Sequence, residues 1–180
     1  WSENHQTKIT TWLTDYLNWL TKSKLGVKGS KQKNNHVSWY RFQVAALALY
    51  LDKKPLVKEM VELAQNSLEE MLNNKGGQIH ELTRTKSFSY SCFNLQALTN
   101  IAEIGNKIGL HMWHYESDNK KSLSLALNYL TEIKKLSAEI ELRISKAESQ
   151  EPKQSLKTLD SIEVLIEKRN SLLKELGILV

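Results

Sequence analysis

The sequence predicts an all-α protein built from packed antiparallel helical hairpins, and three observations carry that prediction. Apolar residues recur at helical spacing from end to end, with no convincing strand alternation. Only 7 Gly and 2 Pro punctuate the chain, too few for a turn-rich sheet sandwich. Leu, Lys, Glu, Asn and Ser dominate, a composition that favours helices. At 180 residues, with 41% apolar and 25% charged, the chain is long and apolar enough to bury the core of one globular domain.

The elements follow in order. Ile9 to Lys22 places Trp12, Leu13, Tyr16, Leu17, Trp19 and Leu20 on one broad apolar face of a first helix. Residues 22–33, lysine-rich and containing Gly26 and Gly29, read as a connector. A second helix should start near Val37 and run to Leu51, apolar almost all round as a buried helix must be. Asp52-Lys-Lys-Pro55 ends it and opens a third, because proline suits a first helical turn. That helix carries Leu56, Met60, Val61, Leu63, Leu68 and Met71, and stops at Asn73–Gly77. Residues 78–91 read as an ordered polar loop, and a fourth helix spans roughly Phe93 to Ile108. After a loop at His111–Asn119, Ser122 can cap a long helix reaching about Glu148. Pro152 should open a final helix with Leu156, Leu159, Ile162, Leu165, Ile166, Leu172, Leu173 and Leu176 on one side, forming a hairpin with the long one.

Charge narrows the partners. Net charge is +5, and residues 1–130 hold the whole excess, with 16 Lys/Arg against 11 Asp/Glu. A basic segment attracts polyanions: nucleic acid, anionic lipid or acidic polysaccharide. The lysines lie in connectors rather than along one helix and no nucleic-acid reading motif is present, so no nucleic-acid partner is expected. No apolar run approaches the ~18 residues of a membrane span, so no membrane insertion is expected either. A lone cysteine, Cys92, excludes an internal disulfide without identifying the compartment. The chain starts with Trp, not Met, and shows no signal peptide, which leaves room for an upstream region.

Two polar clusters interrupt the apolar pattern. The first is Asn34-Asn-His-Val-Ser-Trp-Tyr40; the second runs from Gly77 to Leu95. Both sit just ahead of apolar helices, where free backbone N–H groups favour anions. Taken singly, each residue has a plainer role. Asn34 or Asn35 can be a helix cap, His36 a structural histidine and Arg84 a surface partner of Glu81. Trp39, Tyr40 and Tyr90 can be packing aromatics. The third cluster, His111, Trp113, His114 and Tyr115, reads as packing aromatics and imidazoles.

Taken together, the string is specific. Asn34, Asn35, His36, Trp39, Tyr40 and Gln43, followed by Glu81, Leu82, Arg84, Thr85, Ser87, Tyr90, Ser91, Phe93, Asn94 and Leu95, resembles the alginate lyase superfamily. That family has an (α/α) toroid fold, and the resemblance covers about residues 9–130. It implies a lyase-like helical domain over 1–130 and a C-terminal hairpin, 131–180, packed on it. Relatives have a longer toroid, so this chain should form an incomplete (α/α) toroid, its C-terminal part, with a further N-terminal helical region supplying the rest. Val37-Ser38 stand where the family commonly has Gly-Thr, and Arg41 where it has Asp.

The activity implied is β-elimination on a 4-linked uronate polymer of alginate or glucuronan type. The partner implied is an acidic polysaccharide, and the location periplasmic or secreted. Removing the C5 proton beside a carboxylate builds up negative charge, which preorganised donors must stabilise. The resemblance assigns catalysis to Asn35, His36, Arg84 and Tyr90, and substrate binding to Asn34, Trp39, Tyr40, Gln43 and Glu81. Tyr90 would donate the proton and, for one C5 stereochemistry, also remove one. His36 is then either the base for the other stereochemistry or a further neutralising group. A free phenol is a poor base at neutral pH, so a cation should stand beside it. Lys31 or Lys86 could steer further carboxylates. The chemistry needs no cofactor, and the spacing of His80 and Glu81 resembles no zinc motif. Two other readings compete: a catalytically inactive or truncated acidic-glycan-binding domain, and a basic helical nucleic-acid-binding module.

Overall fold

Two serines bracket the first helix of the computed structural model, which describes residues 2–148 and 162–171. Ser2 caps the N-terminus of α1 (Glu3–Lys22), six residues earlier than the apolar pattern alone indicates. Ser23 ends it and then caps α2 (Lys24–Ser30), its hydroxyl accepting from the Gly26 N–H at 3.0 Å. The expected connector is therefore partly helical. Gly26 makes this possible, since a Cβ there would lie 1.9 Å from the Leu20 carbonyl oxygen. Only glycine lets α2 fold back this closely onto α1.

α3 (Asn35–Tyr50) is the central helix and packs chiefly against α4 (Lys54–Met71) and α6 (Ser87–Asn106). Its Val44, Ala45 and Ala48 are fully buried, as its unbroken apolar run requires. Asp52 takes a left-handed turn (φ 53°) and Pro55 opens α4, so the two helices return antiparallel. α4 buries Val57, Met60, Val61, Ala64, Leu68 and Met71 on one stripe, while Leu63 stays exposed.

Residues 73–77 form a tight turn that the Asn73 side chain closes by accepting from the Lys75 and Gly77 N–H groups. Gly76 has φ +93°, and a Cβ there would lie 2.4 Å from the Leu125 carbonyl oxygen. A bridge between Leu72 and Gln78 follows, then a single helical turn, α5 (Ile79–Leu82). Residues 78–91, expected as one loop, thus hold α5 and the first turn of α6. Tertiary bonds decide this: buried Gln78 donates to the Ser91 carbonyl at 2.9 Å and accepts from Asn94 at 2.8 Å. Gly105 does not break α6, which continues to Asn106.

A 3₁₀ turn (Met112–His114) leads to α7 (Leu123–Glu148), whose Leu125 N–H donates to the Ser122 hydroxyl as the capping signal predicts. α7 lies on α6 and buries Leu123, Ala126, Leu130, Ile133, Leu136 and Ile140. It runs unbroken through residue 130, where the sequence reading divides the domain. Residues 162–171 are helical with Ile162 buried. The rest of the expected last helix, Pro152 to Leu159 and Leu172 to Leu176, lies outside the described residues. Among the described residues there is no β-sheet, only helical hairpins in the arrangement of a partial (α/α) toroid, and no helix is long and apolar enough to cross a membrane.

Candidate active site

The N-terminus of α3 organises the site. Asn34 is its cap, its side chain accepting from the His36 N–H at 3.2 Å. Asn35 is the first helical residue, and its N–H would ordinarily go unpaired. Instead it donates to one carboxylate oxygen of Glu81, while the Asn35 amide donates to the other at 3.1 Å. Glu81, on α5, is only 1% exposed. A carboxylate so far from water is costly unless paired and hydrogen-bonded. The α3 N-terminus, the Asn35 amide and the Arg84 guanidinium, 4.0 Å away, meet that need.

Arg84 extends the chain of contacts. It lies in the turn after α5, and its guanidinium carbon stands 3.9 Å from the centre of the Tyr90 ring. Tyr90 occupies the first turn of α6 rather than a loop, so a helix fixes its direction. Asn35, Glu81, Arg84 and Tyr90 thereby form one continuous path across three elements. Both Glu81 oxygens accept from Asn35, one from its backbone N–H and one from its side-chain amide.

Two recesses flank this path. A pocket of about 470 Å³ is walled by Asn35, His36, Trp39, Tyr40 and Gln43 of α3, with Trp19, Leu25, Gly26 and Phe93 opposite. A depression of about 330 Å³ is lined by Lys31, Gln32, Lys33, Asn34, His80, Thr83 and Arg84. Both recesses reach the α3 tip, where Asn34 borders the depression and Asn35 and His36 border the pocket. His36 is exposed and opens into the pocket; Arg84 faces the depression. The structure joins Arg84 to Tyr90 directly, while His36, the residue after Asn35, lines the other recess.

The aromatic walls are held in place. Trp39 packs on Phe93 (centroids 4.7 Å) and edge-on to Phe42 (5.6 Å), its buried indole N–H without a partner among the described residues. Gln43 accepts from the Tyr16 hydroxyl of α1 at 2.7 Å. Burial pushes the Tyr40 phenol above its ordinary value, and Glu59 adds to this, so Tyr40 stays neutral. Of the expected steering lysines, Lys31 lines the depression and Lys86 stands at the start of α6. Trp19, Leu25, Lys33 and His80 line these recesses without having been singled out for the site. Their signal was only their place on or beside the two clusters. The third aromatic cluster lies at the other end of α6, about 24 Å from Tyr90 at 1.5 Å rise per residue. There Trp113 bonds Glu103 and His111 bonds Asn106, which suits packing. Among the described residues, no three His, Cys, Asp or Glu side chains gather as a metal site.

Comparison with known proteins bears on the fold and the family. The structure is similar to the crystal structure of an alginate lyase from Bacteroides ovatus, with a TM-score of 0.69 and 25% sequence identity. The match covers 72% of this chain and 34% of that one, so the chain spans about a third of that protein's length. No curated protein matches the sequence. The family model described as "Alginate lyase" matches residues 1–138, which include both polar clusters and every candidate site residue, and the chain belongs to that family.

Proposed function

We propose that the protein is a polysaccharide lyase that cleaves a 4-linked uronate polymer, of alginate or glucuronan type, by β-elimination. The observation that carries the reading is the path Asn35–Glu81–Arg84–Tyr90, with His36 adjoining it at a helix N-terminus. It provides amide and guanidinium donors for the substrate carboxylate next to a phenol and an imidazole that can move protons.

In the proposed reaction, Asn35 and Arg84 hold the carboxylate on C5 and stabilise the charge that develops there. A base takes the C5 proton, the C4–O bond breaks, and a C4–C5 double bond forms. Tyr90 returns a proton to the departing O4 and, where the C5 hydrogen lies on its own face, first removes that hydrogen. His36 serves as base on the opposite face, or as a further carboxylate donor. Asn34, Trp39, Tyr40 and Gln43 contact neighbouring sugar units. Glu81 acts as a positioning residue, because its oxygens are spent on Asn35 and Arg84. The mechanism routes no step through a metal or cofactor. A periplasmic or secreted location belongs to the same proposal.

The test follows ultraviolet absorbance of the new double bond on mannuronate, guluronate and glucuronate polymers. Wild type should cleave at least one; Tyr90→Phe should lose turnover while binding that glycan nearly as before. Near-normal activity of Tyr90→Phe would take Tyr90 out of the mechanism. A second reading is acidic-glycan binding without turnover. Retention of glycan with no absorbance change would establish it.

A further inference from the structure

Arg41 is the charge that the proposed mechanism leaves unused. It lies on α3 one turn beyond Val37, half-buried, with a single hydrogen bond from its guanidinium to the Ser67 hydroxyl at 2.8 Å. Ser67 is a neutral partner, its own proton directed to the Ala64 carbonyl. Among the described residues no carboxylate comes within 4 Å of Arg41, although Glu70 borders the same recess. A guanidinium carries five donors, so most of its capacity is unspent. Burial pulls it below its ordinary value, as expected for a charge withdrawn from water with nothing opposite.

That recess is small, about 80 Å³; Lys33 and His80 line it with Arg41, and Glu70 is the one acid on its edge. The recess adjoins the 330 Å³ depression, with Gln32, Lys33 and His80 lining both. The depression in turn reaches Arg84. Lys33 and His80 therefore lie between Arg84, on the larger recess, and Arg41, on the smaller one.

We propose that Arg41, Lys33 and His80 form a second carboxylate-binding subsite, which takes the uronate unit next to the one held by Asn35 and Arg84. The identity of the ligand rests on the lyase reading. The physical logic is that a polymer with a carboxylate on every unit offers repeated anions, and a partly dehydrated guanidinium fork reads a carboxylate with two parallel bonds. A surface lysine would give weaker, less directional recognition.

The test is direct binding at low salt of a monouronate, a uronate tetrasaccharide and inorganic phosphate, in the Tyr90→Phe background so that no ligand is consumed. Arg41→Gln should weaken tetrasaccharide binding by about tenfold to a hundredfold, the worth of one charged hydrogen-bonded contact. Monouronate binding should change less than twofold. Arg41→Lys should recover part of the loss. Should Arg41→Gln lower the melting temperature, exposed Lys33→Gln provides the second variant, with a smaller loss in the same direction. Unchanged tetrasaccharide affinity in both variants overturns the subsite, and so does a loss confined to phosphate. Failure of the parent protein to bind any uronate overturns the lyase reading itself, so the two failures are distinct.

Discussion

Glu81 shows how much one buried side chain can decide. Its two oxygens align the backbone and amide of Asn35 and face Arg84, so three elements depend on it. Replacing it by Ala strands those donors, and breaking a buried charged contact costs about 3–5 kcal/mol. Glu81→Gln keeps the shape but offers one acceptor where two are needed, costing about 1–3 kcal/mol for the stranded donor. Under the proposed mechanism its kcat should fall more than KM changes, because Asn35 and Arg84 would there act on charge that develops only at the transition state. Steady-state kinetics and thermal unfolding check both. A Glu81→Gln enzyme with normal kcat would reduce Glu81 to a structural role. The residue type and its place in the motif are legible in the sequence; its inward direction is not, since a Glu three residues before an Arg reads as an ordinary surface pair.

Among the elements, α2 and the 73–77 turn carry the lesson. Gly→Ala inside a helix ordinarily gains about 1 kcal/mol. At Gly26 the sign reverses, because the new methyl would lie 1.9 Å from the Leu20 carbonyl oxygen and no side chain there can yield. Overpacking of this kind costs about 1–3 kcal/mol or more, so Gly26→Ala should lower the denaturant midpoint. It should also reshape the pocket that Gly26 and Leu25 wall. Gly109→Ala is the control: φ is +78° but nothing lies within 4 Å, so only the backbone strain of about 1–2 kcal/mol applies. Periodicity located α1, α4, α6 and α7 because each buries a stripe, and α3 stood out by its nearly unbroken apolar run. It passed over α2 and α5, seven and four residues long, which contacts with neighbours define.

At the level of the whole molecule, one acidic side chain ties the connection between α6 and α7 to α4. Glu69 accepts from the Ser117 hydroxyl and the Asn119 amide and pairs with Lys121 at 3.5 Å. The bonds to Ser117 and Asn119, with Lys121 assisting, hold its carboxyl below the ordinary value of 4.5. A depressed acid contributes stability that is fully present above the unfolded value and lost as pH falls through the folded one. Wild type should therefore exceed Glu69→Gln in stability at neutral pH, and the difference should shrink below about pH 4.5. Denaturant midpoints against pH would show it, and a gap constant down to pH 3 would exclude the linkage. Trp12 and Trp19 stay 61% and 48% exposed, stacked through Tyr16, although the sequence reads them as one apolar face with Leu17 and Leu20. Among the described elements α1 packs mainly against α2 and α3, so only its inner side is covered.

By itself the sequence determined the all-helical class, the order of the long helices and the two polar strings, because hydrophobic period and residue order are properties of the chain. It also determined the family, since the spacing of Asn34-Asn35-His36 from Glu81, Arg84 and Tyr90 is one-dimensional information. Tertiary structure alone decided that Glu81 lies beneath Asn35, that Arg84 covers Tyr90, and that Arg41 has no carboxylate opposite it. Those facts depend on which faces of α3, α5 and α6 meet, and such meetings are set by packing between residues some 46 positions apart.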